Sequence, residues 1–135
     1  MQSWPRKGDF QNLVEWGEIE SVSALLKETI ERLKLGPNEE WIEEVISEAA
    51  DELPRAIKEG QESEYAAEFI LGVSAARNSL VIASYCFRFL KAQGLMDGPT
   101  ADEVDWRLDQ LEQKLSSLTE RLRGSLRDQY KFSSN

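Results

Sequence analysis

Ala66-Ala67-Glu68-Phe69-Ile70-Leu71-Gly72-Val73-Ser74-Ala75-Ala76-Arg77-Asn78-Ser79-Leu80-Val81-Ile82-Ala83-Ser84-Tyr85-Cys86-Phe87-Arg88-Phe89-Leu90 is the stretch on which the fold turns. Within it Ala66, Phe69, Val73, Ala76, Leu80, Ala83, Phe87 and Leu90 are spaced 3-4-3-4-3-4-3. That is a heptad seam, the pattern of helices packed in a left-handed bundle. A second apolar row, Leu71, Ala75, Ile82, Tyr85 and Phe89, runs along another side of the same helix. A bundle helix needs one apolar face, so the second must be covered. Another subunit can cover it, or helix one or a terminus can wrap over it.

Working outward, the segment 63–93 is stopped by Gly94, and a fourth helix over 100–127 opens with Thr100-Ala101-Asp102-Glu103, a capping-box pattern. Its seam, Val104, Leu108, Leu111, Leu115, Leu118 and Leu122, is spaced 4-3-4-3-4, and the tail from about Asp128 is expected to fray. Upstream, Asp9 caps a helix over 9–35 that ends at Gly36-Pro37 and carries Phe10, Leu13, Val14, Ile19, Val22, Leu26 and Leu33. Asn38 caps a helix over 38–59, ended by Gly60, with Ile42, Ile46, Ala49, Leu53 and Ile57 as its stripe and a kink expected at Pro54. The loops between these segments are short, which sets neighbouring helices antiparallel. The expected fold is all-α, an antiparallel up-down-up-down four-helix bundle forming one domain over residues 1–135.

Composition excludes several chemistries. The chain has no histidine, which removes Ser-His-Asp triads, Cys-His pairs and histidine-ligated metal sites. Its single cysteine, Cys86, lies in an apolar run and reads as a buried hydrophobe. No segment reaches roughly 18 apolar residues without a charge, and no signal-peptide pattern opens the chain, so a cytoplasmic protein with no membrane segment is expected. The net charge of −9 is uneven: residues 36–68 hold 11 acidic and 2 basic groups, residues 69–135 hold 8 and 9.

Three stretches carry a family resemblance: Phe10-Gln11-Asn12-Leu13-Val14-Glu15-Trp16, Leu53-Pro54-Arg55-Ala56-Ile57-Lys58-Glu59-Gly60 and Glu64-Tyr65-Ala66-Ala67-Glu68-Phe69-Ile70-Leu71. In order and spacing the chain resembles, over residues 10–122, the bacterial four-helix bundle protein family. That family includes proteins encoded in intervening sequences of 23S ribosomal RNA genes and accessory proteins of diversity-generating retroelements. The resemblance implies an up-down-up-down bundle, a homo-oligomer such as a ring of five, and no enzymatic activity. Its basic members bind a reverse transcriptase and nucleic acid.

The densest charge feature is a ridge on the second helix: Glu40, Glu44, Glu48 and Glu52, each four residues from the next. Like charges at this spacing cost a few tenths of a kcal/mol per pair. The ridge reads as a solvated face, as a docking surface for a protein with a basic surface, or as a magnesium site of an acidic-site hydrolase. The third reading is weakened because Glu39-Glu40-Trp41-Ile42-Glu43 and Glu48-Ala49-Ala50-Asp51 lie on one helix, whereas divalent ions need ligands converging from several directions. Arg107, Lys114, Arg121, Arg123, Arg127 and Lys131 interleave with acids on helix four, as a mixed surface or a weak phosphate strip. Of the tryptophans, Trp16 and Trp41 read as core or interface anchors and Trp4 as a groove plug or a disordered end. The expected function is a non-catalytic adaptor or scaffold without cofactor or metal, homo-oligomeric through Leu71, Ala75, Ile82, Tyr85 and Phe89. A nucleic-acid accessory protein is the alternative, disfavoured by the acidic charge.

Overall fold

The protein is seen in a computed structural model that describes residues 14–63 and 65–133. It is all-α, with four helices and, among the described residues, no strand: α1 Val14–Arg32, α2 Glu40–Glu62, α3 Ala66–Ala92 and α4 Gly98–Ser133. The expected Asp9 cap lies outside the described residues. Each helix packs on the next, and α4 closes against α1. The expected seams form one core. All eight seam residues of α3 are buried, as are Ile42, Ile46, Ala49, Leu53 and Ile57 of α2 and the valine and five leucines of the α4 seam. From α1 come Ile19, Val22 and Leu26, together with Ile30.

Polar pairs fix which residues face each other. Between α3 and α4, Arg77 pairs with Glu112, Ser84 with Asp105 and Lys91 with Asp102. Between α1 and α4, Ser21 receives a hydrogen bond from Arg107, and Glu18 faces Lys114. In both cases residue numbers rise along one helix as they fall along the other.

Several element boundaries differ from expectation, each for a local reason. The second helix begins in a 3-10 turn, Pro37–Glu39, and Asn38 lies inside that turn, so it is not the cap. Gly60 does not end α2, which runs to Glu62. Instead Gly60 and Gly72 let α2 and α3 touch backbone to backbone. A Cβ at Gly72 would lie 2.5 Å from the Ala56 carbonyl oxygen, and one at Gly60 would lie 3.1 Å from the Phe69 Cα. The start of α3 moves from Ser63 to Ala66, because Tyr65 is extended and its N–H donates to the Ser63 hydroxyl. Gly94 does end α3, in the left-handed conformation at φ +72°. Its N–H donates to the Lys91 carbonyl and the Leu95 N–H to the Leu90 carbonyl, the paired bonds of a Schellman cap.

The start of α4 is set by Asp97, not Thr100. The Asp97 carboxylate accepts the Thr100 N–H at 2.9 Å, and that hydrogen bond holds the carboxyl below its usual pKa. Pro99 then sits in the first turn, where its missing N–H costs nothing. At the other end α4 stays helical through Gly124 to Ser133, well past the expected limit of 127. The α2 helix likewise continues through Pro54.

Candidate partner-docking face

Between Glu68 and Lys91, α3 carries only two charged residues, Arg77 and Arg88. Both turn toward α4. The Arg77 guanidinium grips Glu112 with Nε at 3.0 Å and Nη2 at 2.8 Å, and that hydrogen bond raises its pKa further. Arg88 reaches Asp105 at 3.3 Å. The outward side of α3 is therefore left without charge. Leu71 and Tyr85 are 68% and 67% exposed, and Val81, Ile82 and Phe89 are exposed beside them. The helix is also long and apolar enough to span a bilayer, although its seam is core here.

Among the described residues the expected second row is thus largely exposed, and α1, which packs on α2 and α4, does not wrap over it. Ala75 is the exception. It is partly buried against the core, because its short side chain lies at the edge of α2. Val81 and Trp41 extend the surface. Trp41 is not a core residue: it stands exposed at the start of α2, its ring centre 6.0 Å from that of Phe89 and tilted by 56°. The centroid separation lies within the range of interacting aromatic pairs. Trp16 does pack against the core, and Trp4 lies outside the described residues.

Beside this face lies the acidic ridge. Glu40, Glu44 and Glu48 are exposed and Glu52 is half-buried. A row at four-residue spacing winds about 40° per step. Glu40 and Glu44 thus look outward, whereas Glu48 and Glu52 border a groove between α2 and α3. Its floor is Val45, Ala49, Ala75, Ser79 and Ile82. Arg55 pairs with Glu52, and Lys27 of α1 pairs with Asp51 at the rim. The Glu52 contact raises the Arg55 pKa. Glu40, Glu44 and Glu48 have no salt-bridge partner among the described residues.

The structure thus brings the ridge and the α3 row to one side of the molecule, which sequence spacing alone does not place. Among the described residues no three acidic or thiol groups converge in a metal-binding arrangement. Cys86 is buried, and that burial raises its pKa. Comparison with protein-family models, with curated proteins and with solved structures finds no match.

Proposed function

We infer that the chain is an antiparallel up-down-up-down four-helix bundle working as a non-catalytic adaptor or assembly protein that self-associates. The facing pairs on α3 and α4, and on α1 and α4, support the topology. One observation carries the function: α3, the central core helix, keeps an uncharged outer side bearing Leu71, Ile82, Tyr85 and Phe89, continued by Trp41 of α2. Exposed apolar surface of this extent marks interaction sites, and aromatic residues are the anchors of such sites. The absence of histidine and the outward spread of the ridge carboxylates favour binding over catalysis. The four-helix family resemblance points the same way, and a cytoplasmic setting fits it.

Light scattering on the intact chain tests self-association. A mass at a multiple of the 15.4 kDa protomer supports it, and five-fold would fit the family's ring. A strict monomer at every concentration removes it. A second reading, a nucleic-acid accessory protein, draws on the exposed cations Arg121, Arg123 and Arg127 at the end of α4. It requires binding to RNA or DNA that weakens steeply with salt.

A further inference from the structure

Arg121-Leu122-Arg123-Gly124-Ser125-Leu126-Arg127-Asp128-Gln129-Tyr130-Lys131 holds four cations and one acid, with Leu122, Leu126 and Tyr130 at every fourth position. On a helix that spacing gives one apolar edge beside a basic one. The segment is helical to Ser133, whereas beyond Leu122 none of Arg123, Gly124, Leu126, Arg127 and Asp128 is buried in the core. Residues 123–133 continue α4 about three turns, or about 16 Å, past Leu122. Arg123, Leu126 and Arg127 are exposed there.

The α2–α3 groove is the complement in shape and charge. Its lining runs from Val45 to Arg55 along α2, about 15 Å of helix. Its floor is apolar apart from Ser79, and Glu48 and Glu52 stand on its rim, Glu52 beside Arg55 and Glu48 without a salt-bridge partner among the described residues. The tail of α4 cannot fold back into the groove of its own protomer, because α4 packs on α3 and α1 and remains helical to Ser133.

We propose that the last turns of α4 from one protomer lie in the α2–α3 groove of the next, with Arg123 and Arg127 against Glu48 and Glu52 and Leu126 on Ile82. This rests on the self-association inferred above and names its geometry. The contact joins two different surfaces, so it is heterologous and propagates until a ring closes. A two-fold contact through α3 is the competing arrangement. It would set the ridge against the partner's ridge, or against the α4 edge bearing Asp102, Asp105, Asp109 and Glu112. Three of those four acids are already matched by Lys91, Arg88 and Arg77. Neither arrangement brings cations to Glu48; the α4 tail does, with Arg127 and with Arg123, which also pairs with Glu120 on its own helix at 3.3 Å.

Light scattering on full-length variants tests this. The groove variant is Glu48→Lys with Glu52→Lys; the tail variant is Arg123→Glu with Arg127→Glu. Leu126→Asp probes the tail without reversing its cations. Circular dichroism must match wild type and each variant must unfold cooperatively, so that a lost assembly is not a lost fold. Each variant alone should fall to the 15.4 kDa protomer. Mixing the groove and tail variants should restore association, because an intact tail then meets an intact groove. Folded variants that assemble like wild type, or a mixture that stays monomeric, would overturn the geometry while self-association of wild type stands. A wild type that is monomeric throughout would overturn both.

Discussion

The ring of Trp41, at the start of α2, stands 6.0 Å from the ring of Phe89, near the end of α3, and both rings are exposed. Two large aromatics in contact outside the core stabilise the protomer less than buried ones would, because each keeps much of its surface in water. A double-mutant cycle with Trp41→Ala and Phe89→Ala should give a coupling of about 0.5–1 kcal/mol in chemical denaturation. The double variant should also lose self-association. A protomer that assembles normally without both rings would remove this end of the face from the interface.

Gly72 and Gly124 predict opposite outcomes for one substitution. A Cβ at Gly72 would meet the Ala56 carbonyl oxygen at 2.5 Å, and backbone cannot step aside without parting α2 from α3. Gly72→Ala should cost more than about 2 kcal/mol, in the range of overpacked cores. At Gly124 a Cβ meets nothing within 4 Å, and the residue is helical. Gly124→Ala should stabilise by about 0.5–1 kcal/mol. Denaturant midpoints at equal slope would show both.

Asp97 makes the start of α4 sensitive to acid. Its carboxyl is held below the usual value chiefly by the Thr100 N–H. A group whose folded pKa is depressed contributes stability above its unfolded pKa and loses it as pH falls through the folded one. Asp97→Ala should therefore lower the melting temperature at neutral pH. The gap to wild type should close as the carboxylate is protonated in acid. A gap that is constant with pH would assign the role to packing instead.

Cys86 should resist thiol reagents at neutral pH in the folded chain and react on unfolding. It is buried, burial raises its pKa, and the thiolate is the reactive form. Fast labelling under native conditions would mean that α3 opens there.

The heptad seams of α3 and α4 were readable because burial recurs at fixed spacing, and Leu80, Phe87, Leu108 and Leu115 are buried where the pattern requires. The ends were less readable. Gly60 looks like a helix stop in sequence, yet its role comes from Phe69 on another helix, a contact that local chemistry does not encode. Thr100-Ala101-Asp102-Glu103 mimics a capping box one turn inside the true start at Asp97. The exposed row of α3 was legible as a second apolar periodicity. Its neighbour Trp41, the groove floor at Val45 and Ala49, and the turn of Arg77 toward Glu112 depend on how α2, α3 and α4 face one another.

Glu44 sits midway in the ridge, between Glu40 and Glu48, with no salt-bridge partner among the described residues. Both neighbours are like charges at four-residue spacing, each costing a few tenths of a kcal/mol. Glu44→Lys turns two repulsions into two attractions and should raise protomer stability by about 1 kcal/mol. If the ridge steers a basic surface, the same change should weaken self-association, most clearly at low salt where exposed charges are least screened. Denaturation and light scattering on one sample, at low and high salt, separate the two effects. A more stable protein that assembles as before would make the ridge a solvated face. A more stable protein that assembles less well would show why an unfavourable row of carboxylates is kept: function holds it against the stability it costs.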